Sequence, residues 1–217
     1  MAETISRVQV WSTRLRWANG VIAGCIMGLL VTGWLSAQAS PMASVARGYY
    51  YLVAYVFSAA IAYRLFLLFA GTKSEHVRDC WPKRATQYRE AVVAHLRFYL
   101  SFCKSELSGW YGHNPCWGPV YLLMYGLSVL MIATGFAIGQ VYLGPGISLT
   151  GIHALGAGVF LVFAVAFVLA AMLHDARADV NGLSAFFSGY KYYRVQTPEP
   201  SGPIEYKVDF PIMPRKR

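Results

Sequence analysis

The stretch that decides the fold is residues 120–173, VYLLMYGLSVLMIATGFAIGQVYLGPGISLTGIHALGAGVFLVFAVAFVLAAML. It belongs to a longer segment, between Leu107 and His174, that contains no Asp, Glu, Lys or Arg. A second uncharged segment lies between Trp17 and Ala46. A helix that spans a bilayer needs only about 20 apolar residues, whereas a soluble fold could not bury uncharged segments of this length. The sequence therefore predicts an integral membrane protein.

The hydrophobic pattern predicts an all-α fold, a bundle of four transmembrane helices. The predicted spans are about residues 17–36, 48–70, 119–142 and 152–173. The first is interpreted as a retained helix rather than a signal peptide, because no small-residue cleavage pattern directly follows its long apolar core. Four glycines at or near one face of this helix predict that a neighbouring helix packs closely against it. They are Gly20, Gly24, Gly28 and Gly33.

The net charge of +9 is explained by where the basic residues lie. They precede the first span, follow the last, or lie between the second and third, and the two remaining loops carry Arg47 alone. This bias places both termini and the central loop in the cytoplasm, as expected for a multi-pass protein of the bacterial inner membrane. No basic groove with stacking aromatics on a soluble module is evident, so nucleic acid is excluded as a partner.

Two further helices are predicted outside the spans. Residues 88–107 have an amphipathic pattern that predicts a cytoplasmic interfacial helix between the second and third spans, with an ordinary connector as the alternative. Asn181 to Arg194 predicts a second interfacial helix. We expect a membrane domain over residues 1–194 and an extended, proline-containing cytoplasmic tail over 195–217. The four cysteines form no CxxC pair, and we expect free thiols packed as small hydrophobes.

Three polar features are candidates for function, because polar groups in hydrocarbon are costly. Arg64 either extends to the cytoplasmic interface or pairs with an anion or a quinone oxygen. His153, at the start of a strongly apolar helix, is either a structural histidine or a ligand or hydrogen-bonding site. His113 and Asn114 in the turn at 112–115 either cap the third span or form a polar niche for a quinone headgroup.

At this point the order of elements resembles the four-helix b-type cytochrome subunit of membrane-bound nickel–iron hydrogenases, and more distantly the membrane subunit of formate dehydrogenases. The resemblance extends to about Arg194 and is most specific in the third span. The matching segments are Val31-Thr32-Gly33-Trp34, Tyr63-Arg64, Phe69-Ala70-Gly71, Gly112-His113-Asn114-Pro115, Ser128 to Ala137, His153-Ala154-Leu155-Gly156 and Asn181 to Arg194.

The resemblance implies a subunit that carries electrons from a partner enzyme to membrane quinone through two b haems, each held by two imidazoles. By register with the matching segments, three of the four expected ligand positions fall at or near Asn19, Tyr50 and Phe167. Only His153 remains of the four histidines. His113 or His174 could act as substitute ligands, but position 174 lies about 60° away from the face of His153.

Three functions follow as alternatives. The first is a subunit of a respiratory redox complex that kept the fold and serves as a haem-depleted or haem-free anchor or quinone-site scaffold. The second is an electron-transfer cytochrome that retains one haem through His153 and an unusual ligand such as Tyr50. The third is a small transporter or assembly factor, although neither repeats nor interrupted helices are evident. The expected partners are the bilayer and other subunits, with at most one haem b, a possible quinone and no catalysis by this chain alone.

Overall fold

Four long helices form the protein, in agreement with the predicted bundle. The computed structural model of the chain describes residues 2–80, 85–101, 116–140, 144, 148–177 and 182–197. The spanning helices are α1 (Thr13–Ser36), α2 (Ala43–Ala70), α5 (Trp117–Ala137) and α6 (Leu149–Arg177), and within α6 the apolar span is Leu149–Leu173. Their length and hydropathy suit a membrane crossing, which confirms the four spans.

Shorter elements join the spans. A 3₁₀ turn (Lys73–Glu75) and α3 (Val77–Cys80) follow α2, and α4 (Ala85–Leu100) lies between α2 and α5. After α6 comes α7 (Gly182–Ser188), so the helix predicted over 181–194 is wrong beyond Ser188. Gly189, with a φ of +82°, ends α7 and turns the chain into a strand. α4 occupies the place of the predicted amphipathic helix, but its position on a membrane surface stays a prediction.

A two-stranded antiparallel sheet joins the two ends of the chain, and the sequence did not predict it. β1 (Ala2–Gln9) pairs with β2 (Tyr190–Thr197), with Ala2 opposite Thr197 and Gln9 opposite Tyr190. The amides of Val10 and Trp11 both donate to the Gly189 carbonyl. The strand crosses the predicted boundary at residue 195, and residues 198–217 lie outside the described part, so the tail remains a prediction.

The core of the bundle lies where α1, α2, α5 and α6 meet. Two of the four predicted glycines bring α1 against α2: a Cβ at Gly28 would lie 3.3 Å from the side chain of Val53, and one at Gly33 would lie 3.3 Å from the ring of Tyr50. Gly20 and Gly24 face open space. The central apolar cluster contains Ile22, Cys25, Phe57, Ile61, Met124 and Phe160.

The alternating direction of the spans defines two ends of the bundle. The end with Ser36, Ala43, Ala137 and Leu149 is called the loop end. The opposite end, with Thr13, Ala70, Trp117 and the β1–β2 sheet, is called the terminal end. Many large apolar side chains on the spans are exposed in the isolated chain, Phe69, Leu155 and Val162 among them, as expected for surfaces that face lipid.

Candidate functional site

His153 forms a neutral hydrogen-bonded cluster at the loop end. Its Nδ1 lies 2.9 Å from Thr134 Oγ1 on α5, and its Nε2 lies 3.0 Å from Tyr50 Oη on α2. A Cβ on Gly135 would lie 3.3 Å from His153 Cε1, so the glycine gives the imidazole its place against α5. The cluster thus connects three helices through side chains near the loop end.

The hydrogen bonds of Thr134 set the tautomer of His153. The Thr134 hydroxyl donates to the carbonyls of Leu130 and Met131, at 2.9 and 3.1 Å. Because the single hydroxyl proton of Thr134 is donated to these carbonyls, its oxygen can only accept from His153. The Nδ1–H of His153 therefore donates to Thr134 Oγ1. The lone pair of Nε2 then accepts from the Tyr50 hydroxyl. Both ring nitrogens are therefore satisfied by this chain alone.

Arg64 forms the centre of a second cluster at the terminal end. Its side chain is 0% exposed and reaches the turn that follows α2, where it is covered by protein. Nε donates to Tyr125 Oη at 3.0 Å, and Nη1 donates to the Glu75 carbonyl at 3.0 Å. Nη2 is buried and has no hydrogen-bond partner among the residues that the structure describes. In the described part of the chain, no carboxylate forms an ion pair with this guanidinium.

The carboxylate of Glu75 is occupied elsewhere. It accepts from Ser12 Oγ at 2.5 Å, from the Thr72 amide at 2.9 Å and from Arg14 at 3.2 Å. Burial alone would raise the pKa of Glu75, but these donors outweigh it and hold the pKa below its ordinary value. Glu75 therefore fixes the start of α1 against the turn that follows α2, while its backbone carbonyl meets Arg64.

Cys80 lies beside Arg64 without serving as its counter-ion. Burial raises the pKa of the Cys80 thiol to about 11, against the opposing effects of the Arg64 charge and of the side-chain contact between Arg64 and the thiol. The thiol is therefore protonated at neutral pH, so Cys80 does not compensate the positive charge of Arg64. As the sequence predicts, Cys25, Cys80 and Cys116 are free.

An aromatic group occupies the same half of the bundle. Phe167, at the position where the resemblance implies a second histidine on the fourth span, packs against Trp117, Tyr121 and Phe163. The ring centroids lie 5.7, 6.1 and 5.9 Å from that of Phe167. Asn19, at the first-span position, is half-buried on α1.

The structure brings together some of the predicted site residues and separates others. Tyr50 and His153 meet, while Arg64 lies at the opposite end of the bundle. His113 and Asn114 fall outside the described residues. The sequence did not predict the partners Thr134, Tyr125, Glu75 and Ser12. Only the polar atoms of Thr134 and Tyr125 within an apolar span could have drawn attention to them.

These features define a multi-pass helical membrane protein with buried polar clusters at both ends of a four-helix bundle. The family model for prokaryotic cytochrome b561 matches residues 10–189, and the chain belongs to this family. This confirms the resemblance to b-type cytochromes.

Curated relatives agree with the family. The probable Ni/Fe-hydrogenase B-type cytochrome subunit of Cupriavidus necator is 26% identical, over 88% of this chain and 90% of the relative. The probable Ni/Fe-hydrogenase 1 B-type cytochrome subunit of Escherichia coli K12 is 23% identical, over 78% and 84%. That of Rhodobacter capsulatus, again a probable Ni/Fe-hydrogenase B-type cytochrome subunit, is 24% identical, over 86% and 79%. No solved structure matches the chain significantly.

The family implies haem b, and the loop-end cluster can be tested for its fit. Bonds from nitrogen or oxygen ligands to first-row metals are about 2 Å long, so an iron between two axial ligands separates them by about 4 Å. Tyr50 Oη and His153 Nε2 are 3.0 Å apart and hydrogen-bonded to each other. In this arrangement the pair does not fit an iron between its two atoms.

Proposed function

We propose that the chain is a membrane subunit of a hydrogenase-type redox complex and serves there as a haem-depleted or haem-free anchor and quinone-site scaffold. The names of the relatives support the hydrogenase-type complex, since all three are called subunits of Ni/Fe hydrogenases. The haem-free part of the proposal rests on the direct hydrogen bond between Tyr50 and His153. Because Nδ1 of His153 donates to Thr134, Nε2 is the nitrogen that could bind a metal, and it already accepts from Tyr50.

The terminal half of the bundle supports the same proposal. A b haem needs a flat space between facing helices and imidazoles on both sides of the iron. At Phe167 that space holds an aromatic group instead, with Trp117 and Tyr121 in edge contact with the Phe167 ring. Such contacts favour packing in their own right, by about 1 kcal/mol a pair. On this proposal, Tyr50 and Phe167 each fill room that the resemblance assigns to a haem ligand.

The quinone part of the proposal depends on Arg64. A fully buried guanidinium with an unpartnered Nη2 is costly, and an acceptor such as a quinone oxygen would remove that cost. His113 and Asn114 are also proposed as part of this quinone site, on the basis of the sequence. Quinone would meet the subunit near the terminal end, which the distribution of basic residues places on the cytoplasmic side.

A one-haem cytochrome is the second candidate, and the tautomer of His153 favours it. A metal-binding histidine commonly donates its other ring N–H to a neighbouring acceptor, as Nδ1–H does here to Thr134. Nε2 would be free to bind iron if Tyr50 moved away or became an oxygen ligand. This candidate requires the loop-end cluster to open by about 1 Å, the difference between the iron-bridged and hydrogen-bonded separations.

One experiment separates the two candidates. The tagged chain is purified from bacterial membranes together with its partner subunits, and a dithionite-reduced minus oxidised spectrum is recorded. Our proposal expects no b-type band from this chain and recovery of the partner subunits with both wild type and His153→Ala. A band that disappears in His153→Ala, but persists in the control His76→Ala, would establish the one-haem cytochrome and reject ours.

A further inference from the structure

The helix α4 has two apolar faces, and only one is packed. Ala91, His95 and Phe98 are 2, 3 and 3% exposed, and they lie on one side of the helix at the i, i+4, i+7 spacing. Val93, Leu96 and Leu100 lie on roughly the opposite side, at i, i+3, i+7, and are 47, 56 and 79% exposed. A helix that is packed on one face normally presents polar side chains to water on the other. The exposed apolar stripe therefore indicates contact with lipid or with another protein surface.

A groove with a charged edge accompanies this stripe. It has a volume of about 470 Å³ and is lined by Val93, Leu96, Arg97, Leu100 and Ser101. Its lining combines apolar side chains with the guanidinium of Arg97 and the hydroxyl of Ser101. Arg89, also exposed, lies two turns before Arg97. The exposed face is apolar in the middle and carries Arg89, Arg97 and one carboxylate, Glu90, so its net charge is positive and it complements the acyl chain and phosphate of an anionic phospholipid.

The place of α4 in the chain favours a lipid over a soluble partner. The helix lies between α2 and α5, both of which cross the membrane. The loop between them, residues 71–116, carries seven Lys or Arg and four Asp or Glu, a net charge of +3. Basic segments next to spanning helices are attracted to anionic leaflets.

We propose that α4 lies in the bilayer interface with Val93, Leu96 and Leu100 inserted among the acyl chains, and that Arg97 binds the phosphate of an anionic phospholipid. This inference is independent of haem and of the partner enzyme. It assigns the helix a lipid site that the hydrogen-bonded clusters of the bundle do not use. The lipid would hold α4 parallel to the surface, beside the terminal end.

The depth of α4 in the bilayer is tested by quenching of tryptophan fluorescence in nanodiscs made with brominated phosphatidylcholine. Leu96→Trp and Val93→Trp each place a reporter on the inserted stripe, and Gln9→Trp is the control at an exposed polar position of β1, outside the spans. After subtraction of the wild-type signal, the first two reporters should be blue-shifted and strongly quenched, and the control should not. If the stripe reporters are no more quenched than the control, α4 faces water or protein and the proposal is wrong.

The headgroup is tested by native mass spectrometry of protein released from nanodiscs that contain phosphatidylglycerol and phosphatidylcholine. Arg97→Gln should reduce the ratio of retained phosphatidylglycerol to phosphatidylcholine about fivefold, the effect of one cation near an anionic surface. Arg47→Gln removes the same charge from an exposed position at the loop end and should leave the ratio unchanged. Equal ratios in the two variants would overturn the role of Arg97.

Discussion

The two polar clusters stabilise opposite ends of one bundle through different interactions, neutral hydrogen bonds at the loop end and a buried charge at the terminal end. At the loop end, Tyr50, His153 and Thr134 are neutral, and the polar atoms that face one another are all paired. At the terminal end, Arg64 carries a charge at 0% exposure, has no carboxylate partner in the described part of the chain, and leaves Nη2 unpaired. The neutral cluster suffices as a structural link. The charged cluster is incomplete, which makes it the better candidate for a ligand.

The largest expected effect follows from the close approach of the backbone at the terminal end. A Cβ on Gly118 of α5 would collide with the backbone carbonyl of Cys80 on α3, which cannot move aside as a side chain can. Gly118→Ala should therefore lower the unfolding free energy in detergent by about 3 kcal/mol, measured by SDS titration with circular dichroism.

Gly135→Ala is the matched change at the loop end. Its Cβ would meet the His153 ring at 3.3 Å, and the side chain can shift by a few tenths of an ångström. A loss as large as that of Gly118→Ala would show that the two ends do not differ in rigidity.

The same substitution, Tyr→Phe, compares the two clusters directly. Tyr125→Phe removes the acceptor of Arg64 Nε and leaves a second donor of a buried cation unpaired. We expect the unfolding free energy to fall by about 2 kcal/mol, because unsatisfied charged donors cost more than neutral ones. A loss no greater than that of Tyr50→Phe would mean that water or a ligand already satisfies Arg64.

Glu75 adds a dependence on pH at the terminal end alone. Its folded pKa lies below the ordinary value of 4.5, so the carboxylate contributes stability that is complete above about pH 4.5. That contribution is lost as the pH falls through the folded pKa. The part of the thermal midpoint that Glu75 contributes, measured as wild type minus Glu75→Gln, should be level from pH 7 to pH 5 and then decrease, by less than the effect of Tyr125→Phe.

Glu75→Gln should remove this part of the pH dependence, whereas Glu90→Gln, at an exposed position on α4, should retain it. A profile that keeps the same slope in Glu75→Gln would assign the acid sensitivity to another group.

The smallest effect is expected for Tyr50→Phe. The lost hydrogen bond leaves a neutral, half-buried Nε2 on His153, and such bonds between membrane helices contribute about 0.6 kcal/mol. A double-mutant cycle with His153→Ala measures the coupling. A coupling energy above about 2 kcal/mol would place the loop-end cluster outside the range of ordinary interhelical bonds and contradict its role as a simple link.

Features that depend on residues close in sequence were predicted, whereas features that depend on contacts between distant residues were not. The spans depend on local hydropathy, so all four were predicted, with ends displaced by a few residues. Gly28 and Gly33 were identified by spacing, but only packing decided that Gly20 and Gly24 face open space. The sheet was missed because its register joins residues at opposite ends of the chain, Ala2 with Thr197. The residues of α7 were assigned to a longer helix because the left-handed conformation of Gly189 was not foreseen.

By itself, the sequence determined the number of spans and the family, because these depend on which residues are present and in what order. Only the tertiary structure decided what Tyr50 and Arg64 contact. Whether a histidine can hold an iron depends on what occupies the few ångströms beyond Nε2, and that atom, Tyr50 Oη, comes from a residue 103 positions away. Distance in space, rather than composition, sets the chemistry of a buried polar group.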